Sequence, residues 1–152
     1  MSVKKGDQCP TFTLKNSAGE AISISNYIGK KKLVIYFYPK DNTYGCTKQA
    51  CSFRDSYVDF VETGAEVFGI SSDSVDSHKA FARSNNLSFQ LLSDPKGKVR
   101  KQFGVPSDLF GLIPGRVTYI VDKKGVIQGV FNSQLDPKKH SSEALRVLKS
   151  LE

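Results

Sequence analysis

The stretch LVIYFYPKDNTYGCTKQAC, residues 33–51, joins a wholly apolar run to a segment with two cysteines. Residues 33–38 are β-branched and aromatic without polar alternation, which is typical of a central strand buried on both faces. Pro39 ends that run, and Cys46 and Cys51 follow where a helical pattern begins. The stretch therefore predicts a buried strand that delivers a cysteine to the first turn of a helix.

The rest of the chain supplies alternating strand and helix patterns. They predict a hairpin over 11–14 and 21–24, a helix over 45–62, a strand over 65–71, a helix from Asp73 or Ser74 to 85, a short strand at 91–92, a helix from Asp94-Pro95 to 103, strands over 116–121 and 126–131, and a last helix from Asp136-Pro137. This order predicts an α/β protein of the thioredoxin arrangement. We expect one domain over 1–152, with a central mixed sheet, helices on both faces and an N-terminal β-hairpin extension.

Composition excludes several classes of protein. The chain has 152 residues and a net charge of +7, but its basic residues are scattered rather than gathered in a run. Scattered lysines favour a solvated surface, so we expect no nucleic-acid partner. No apolar run approaches the ~20 residues that span a bilayer, so we expect no membrane partner.

Three cysteines are an odd number, which does not fit a secreted disulfide framework. Cys9 stands apart and is interpreted as an incidental thiol. A structural zinc site requires cysteines at shorter spacing and two further ligands. His78 and His140 are isolated in the sequence, so we expect no metal.

Cys46 has two interpretations when it is taken alone. The unpaired amides of a first helical turn carry partial positive charge and stabilise a thiolate, which is the nucleophilic form of cysteine. The alternative is a buried structural cysteine on the apolar stripe of the helix. Asn42 or Thr43 is a candidate helix cap, and Gly45 allows a close approach to the backbone.

The spacing of Cys46 and Cys51 constrains any bond between them. Five helical residues separate their Cα atoms by about 8–9 Å, whereas a disulfide needs them within ~7 Å. The two sulfurs therefore bond only if the first helical turns unwind. We expect a folded dithiol state and a locally melted disulfide state.

Pro39, Thr43 and Cys46 fit the peroxiredoxin active-site pattern Pro-x-x-x-Thr/Ser-x-x-Cys. The chain resembles the peroxiredoxin Q (bacterioferritin comigratory protein) subfamily in its runs 36–41, 45–55, 69–71, 91–94 and 114–119. This resemblance covers nearly the whole chain. One departure is Tyr44, where many relatives have proline, and we expect it to loosen the loop without changing the chemistry.

The resemblance implies a peroxidase and gives each motif residue a role. Cys46 is then the peroxidatic thiolate, which attacks a peroxide oxygen and becomes a sulfenic acid. Thr43 hydrogen-bonds thiolate and peroxide, and Pro39 keeps water off the sulfenic acid. Arg116 stabilises the thiolate and the charge on the leaving oxygen. Cys51 resolves the sulfenic acid to an intramolecular disulfide.

The same resemblance implies further substrate-binding residues and the partners of the protein. Gly45 and Gln49 join the substrate-binding residues, with Gln49 orienting Arg116. The implied partners are a peroxide and thioredoxin or a similar dithiol reductant, with no cofactor. An intramolecular disulfide needs no second subunit, so we expect a monomer. Relatives place the protein in the cytoplasm, or in the plastid stroma if a transit peptide has been removed.

Plainer interpretations and other functions remain open from the residues alone. Thr43 is also a helix cap, Arg116 a surface arginine and Pro39 a strand end, although their joint spacing with Cys46 favours a site. The alternative function is a thioredoxin-like redox sensor or disulfide oxidoreductase without peroxidase turnover. The hypothesis that the protein binds anions or nucleic acid rests on its net charge only.

Overall fold

The structure of the chain is a computed structural model that describes residues 2–108, 113–133 and 136–151. Its strands are β1 (Thr13–Asn16), β2 (Ala21–Ser23), β3 (Lys32–Phe37), β4 (Ala65–Ser71), β5 (Gln90–Ser93), β6 (Ser107–Asp108), β7 (Ile113–Pro114), β8 (Val117–Val121) and β9 (Ile127–Asn132). Its α-helices are α1 (Tyr44–Asp55), α2 (Tyr57–Glu62), α3 (Val75–Ser84), α4 (Lys98–Phe103) and α5 (Lys139–Ser150).

Seven strands form one mixed sheet in the order β2-β1-β5-β4-β3-β8-β9. Strand β3 runs parallel to β4 and antiparallel to β8, and residues 33–37 of β3 are all buried. The predicted central strand, the mixed sheet and the N-terminal hairpin of β1 and β2 are therefore confirmed. The carboxyl end of β3 leads directly into the loop before α1, which places the first turn of α1 at this edge of the sheet.

Alternate residues of β3 belong to two separate hydrophobic clusters, one on each face of the sheet. The face that holds Tyr36 packs against the buried residues of α1, α2, α3 and α5. The face that holds Phe37 packs against α4 and the N-terminal segment. The predicted helices on both faces are confirmed, with four helices on the Tyr36 face and α4 on the Phe37 face.

Several helix boundaries differ from the predictions. The single helix expected over 45–62 is two helices, because Ser56 leaves helical geometry with φ −101° and ψ 6°. Serine is a weak helix former because its hydroxyl competes for backbone hydrogen bonds. Gly64 then ends α2 at a positive φ of 82°.

Helices α4 and α5 begin later than their Asp-Pro dipeptides suggest. Asp94 stays outside α4 and its carboxylate accepts from the amides of Val99 and Arg100, at 3.3 and 3.1 Å. It therefore caps that helix from a preceding turn. Asp136 lies in a comparable turn, where its carbonyl accepts from the amide of Lys139. None of the helices among the described residues combines the length and apolarity needed to cross a membrane.

Candidate active site

Cys46 is the third residue of α1, at the end of the loop that follows β3. Its side chain is buried, with a relative exposure of 1%. Thr43 occupies the N-cap position, but its hydroxyl donates to the carbonyl of Lys40 at 3.0 Å and makes no capping bond. Asn42 adopts a left-handed φ of 65°, which asparagine tolerates better than most residues. The expectation that either side chain caps α1 was therefore wrong.

Arg116 reaches Cys46 from a point 70 positions away in the chain. Its Nη2 donates to the Cys46 sulfur at 3.4 Å, and its Nη1 donates to Oε1 of Gln49. The side chains of Arg116 and Gln49 are 4% and 0% exposed. A buried guanidinium therefore places positive charge directly against this sulfur. Within the described ranges, Nε2 of Gln49 has no hydrogen-bond partner.

Gly45 provides the space that Arg116 occupies. A Cβ built on Gly45 would lie 3.0 Å from Nη2 of Arg116, closer than most real Cβ contacts. Sequence reasoning assigned that open space to a ligand. The structure shows that the guanidinium fills it, so the glycine serves the contact between Arg116 and Cys46.

Cys51 lies one turn further along α1 and is partly exposed. Its thiol faces Oδ1 of Asn85 at 3.7 Å, and all three cysteines of the chain are free thiols. Cys51 lines a groove of about 520 Å³ on the outer side of α1, together with Tyr44 and Lys48. The Tyr44 ring is 80% exposed, and the Lys48 ammonium lies 5.1 Å from its centroid. The Cys51 side chain therefore borders an open groove, whereas Cys46 is buried.

Aromatic rings form the floor beneath Cys46, which sequence reasoning did not single out. Tyr36 stacks on Phe53 with ring centroids 4.5 Å apart. Burial raises the pKa of the Tyr36 hydroxyl well above its usual value, and the nearby Cys46 sulfur adds to that rise. Tyr36 therefore stays a neutral phenol. It fits only because position 69 is glycine, where a Cβ would lie 2.7 Å from the tyrosine ring.

Cys9 lies away from the site. It is 3% exposed and belongs to the cluster on the Phe37 face, opposite to Cys46. Burial raises the pKa of the Cys9 thiol to about 12. Cys9 is therefore a protonated core thiol at neutral pH.

His78 is isolated in sequence but not in space. One ligand atom each of Asp41, Asp73 and His78 lies within 4.8 Å of the others. These atoms are already engaged, since the Asp41 carboxyl group accepts from Tyr38 and is hydrogen-bonded to His78, and Asp73 accepts from the hydroxyl of Ser71. Hydrogen bonds account for the cluster without a cation. No sequence spacing pointed to it, because its members come from a loop, from α3 and from the residues after β4.

The sequence model of the AhpC/TSA family matches residues 5–130 of the chain. The chain is 58% identical over 149 residues to "Peroxiredoxin Q, chloroplastic" of Sedum lineare, and 55% identical over 148 residues to the protein of that name from Arabidopsis thaliana. These alignments cover 98% and 97% of this chain, and 80% and 68% of the two relatives. The resemblance to peroxiredoxin Q is confirmed.

Solved structures agree with the sequence relatives. Peroxidoxin BcpB from Mycobacterium tuberculosis superposes with a TM-score of 0.91 at 34% identity, covering 99% of both chains. A cysteine-to-serine mutant of PrxQ from Xylella fastidiosa gives a TM-score of 0.90 at 28% identity, covering 99% of this chain and 98% of that one. The bacterioferritin comigratory protein of Xanthomonas campestris, described in terms of alkyl peroxide reduction, gives 0.84 at 28% identity, covering 92% and 91%. The predicted thioredoxin-like fold is confirmed.

Proposed function

This chain belongs to the AhpC/TSA family of peroxiredoxins, and from that premise we propose that it is a thiol peroxidase that reduces hydrogen peroxide and organic hydroperoxides. The observation that carries the proposal is the 3.4 Å contact between Nη2 of Arg116 and the Cys46 sulfur at the N-terminus of α1. Helix amides and guanidinium together make that sulfur the nucleophile.

The first step transfers one oxygen atom to Cys46. The thiolate attacks the hydroxyl oxygen of the hydroperoxide, the O–O bond breaks, and the other oxygen leaves as an alkoxide or hydroxide that takes up a proton from solvent. Cys46 becomes a sulfenic acid and the product is an alcohol or water. Arg116 stabilises the negative charge on the leaving oxygen, and Gln49 orients Arg116.

Thr43 and Pro39 take the remaining roles in this step. The Thr43 hydroxyl donates to Lys40, so its lone pairs are free to accept the hydrogen of an incoming peroxide. A bond from Thr43 to the thiolate requires that hydroxyl to turn. Pro39 covers the site and limits access of water to the sulfenic acid. Gly45 borders the substrate and leaves room for the guanidinium of Arg116.

The second step joins Cys46 to Cys51 and releases the oxygen as water, as in an atypical 2-Cys peroxiredoxin. The Cys51 sulfur attacks the sulfenic sulfur, a disulfide forms, and the hydroxyl leaves with a proton. A dithiol protein such as thioredoxin then reduces the disulfide from the exposed side of Cys51. We propose that the chain acts as a single-domain monomer. Its relatives are named as chloroplastic, so we propose the plastid stroma as its location.

Peroxide-dependent oxidation of NADPH, coupled through thioredoxin and its reductase, tests this function. The wild-type chain should turn over continuously, and Cys46→Ser should not consume peroxide. Cys51→Ser should complete one fast turnover and then stop or overoxidise. A single stoichiometric reaction of the wild type would instead indicate a redox sensor. Efficient reduction of insulin disulfides without peroxide turnover would indicate a disulfide oxidoreductase, which the comparisons do not favour.

A further inference from the structure

The carboxylate of Asp41 is the centre of a buried polar cluster beneath the active-site loop. Its Oδ1 accepts from the hydroxyl of Tyr38 at 2.6 Å. Its Oδ2 accepts from the hydroxyl of Ser77 at 2.8 Å and lies 2.7 Å from Nδ1 of His78. Asp41 and His78 are both buried. A carboxylate removed from water is tolerated only when it is paired and hydrogen-bonded in this way.

The partners of His78 fix where its hydrogens lie. Nε2 faces the carbonyl of Leu92 at 3.0 Å, and a carbonyl only accepts, so Nε2 carries a hydrogen. Nδ1 faces the Asp41 carboxyl group, which also accepts from two hydroxyls, so one hydrogen lies between Nδ1 and Oδ2. His78 and Asp41 therefore form a buried, hydrogen-bonded pair. Removing one member of the pair leaves polar atoms of the other buried without a partner.

This pair ties the active-site loop to the body of the protein. Asp41 lies between Pro39 and Thr43, and its backbone N–H donates to Oδ2 of Asp73 at 2.7 Å. The loop is thus held by the main chain and the side chain of one residue. Asn42, the next residue, carries the left-handed φ of 65°. Contacts at Asp41 therefore fix where the first turn of α1 begins.

We propose that Asp41 and His78 are positioning residues, which hold the loop of residues 39–43 and the first turn of α1 in the arrangement that reacts with peroxide. Their separation accompanies the unwinding that lets Cys46 reach Cys51. This inference rests on the proposed function, since it concerns the two chemical steps at Cys46. The Asp41–His78 pair contacts neither sulfur, yet it sets the relative rates of these two steps.

The two steps should respond to loss of the pair in opposite directions. Oxidation of Cys46 requires the ordered loop, so its second-order rate constant should fall about tenfold in Asp41→Asn and in His78→Gln. Disulfide formation requires the loop to release, so its first-order rate constant should rise. The sulfenic acid then has less time to react with a second peroxide, and overoxidation at high peroxide should decrease.

Single-turnover reactions of the reduced chain with hydrogen peroxide, stopped by rapid quench and resolved by mass spectrometry, measure both rate constants. The double variant Asp41→Asn/His78→Gln should change each rate constant no more than the single variants do, because the two residues act as one unit. Ser77→Ala keeps the Asp41–His78 pair and removes one hydrogen bond. It should show smaller changes in the same directions, and it supplies a measurable variant if the others fold poorly.

Ile127→Val is the matched control, because Ile127 is buried on the Phe37 face and its truncation lowers stability without touching the loop. Both of its rate constants should stay within about twofold of wild type. The inference is overturned if the Asp41 and His78 variants resemble this control, or if they slow both steps together. A wild-type chain that forms no disulfide with peroxide would overturn the proposed function itself, and this inference with it.

Discussion

At the residue scale, the contact between Arg116 and Cys46 depends on the missing Cβ of Gly45. An alanine at position 45 would bring a carbon to 3.0 Å from Nη2, so the guanidinium must move by a few tenths of an ångström and its contact with the sulfur is disturbed. Alanine is also the better helix former, by up to about 1 kcal/mol. Gly45→Ala should therefore lower the rate of peroxide reduction about three- to tenfold without loss of stability.

Initial rates and denaturant midpoints, measured on the same samples, check this prediction. Arg116→Gln provides the comparison, and it should be slower than Gly45→Ala because it loses the charge altogether. Since Gly45 acts through Arg116, the double variant should be no slower than Arg116→Gln. Additive losses in the double variant would mean that Gly45 acts on the substrate directly.

Cys9 is a single buried thiol in the cluster on the Phe37 face. Burial raises the pKa of the Cys9 thiol to about 12, so it carries no thiolate at neutral pH. Cys9→Ala should keep full peroxidase turnover with thioredoxin, and lose about 1 kcal/mol of stability from the emptied core position. Iodoacetamide should modify Cys9 only after denaturation, as peptide mapping would show. Loss of turnover in Cys9→Ala would give Cys9 part of the resolving role instead.

At the element scale, α1 holds both Cys46 and Cys51 in one intact helix. Helical geometry keeps their Cα atoms beyond the reach of a disulfide. Oxidation should therefore reduce the hydrogen-exchange protection of amides in residues 45–52, as measured by mass spectrometry on reduced and oxidised protein. The helix α5 serves as the internal control and should exchange equally in both states. Equal protection of 45–52 in the two states would rule out local melting.

Helix α5 carries a pH-dependent contribution to stability. Burial lowers the pKa of His140 from 6.5 to about 4. Its Nε2 donates to the carbonyl of Ser133 at 2.8 Å, and Nδ1 accepts from the hydroxyl of Thr118 at 2.7 Å, which is the pattern of a neutral ring. The unfolded chain binds a proton near pH 6.5, whereas the folded chain does not. The contribution is thus complete above pH 6.5 and is lost as the pH falls toward 4.

Urea unfolding of wild type and His140→Gln at about pH 7.5 and about pH 5 measures this contribution. The wild type should lose about 2 kcal/mol more than the variant between these two pH values. The variant is the control for every other group that titrates in this range. Equal losses in the two proteins would show that His140 takes up its proton in the folded state.

At the scale of the whole molecule, the mixed sheet brings the carboxyl end of β3 beside Arg116, which directly precedes β8. The site is assembled within one chain, so resolution should be intramolecular. The rate constant of disulfide formation should not depend on protein concentration, and sedimentation should give a monomer in both redox states. A mixture of Cys46→Ser and Cys51→Ser chains should form no inter-chain disulfide. A rate that rises with protein concentration would place the resolving thiol in a second subunit.

The local sequence predicted the central strand, the start of the helix that follows it and the position of both cysteines on that helix. Apolar patterning and spacing are properties of neighbouring residues, so they can be read without the tertiary structure. Other helix starts were less predictable. Asp94 caps α4 through a turn rather than at its first residue, and nothing local distinguishes these arrangements. Arg116 and Gln49 were identified as site residues by family resemblance rather than by their spacing. Their contact joins residues 67 positions apart and depends on how the strands pair.

The sequence by itself determined where Cys46 sits on its helix, since strand, loop and first helical turn are formed by consecutive residues. Only the tertiary structure decided what surrounds that cysteine. The guanidinium that faces it fills the space above Gly45, and Asp41 meets His78 across 37 positions of the chain. Buried charges need partners in space rather than in sequence, because removal from water makes an unpaired charge too costly to keep.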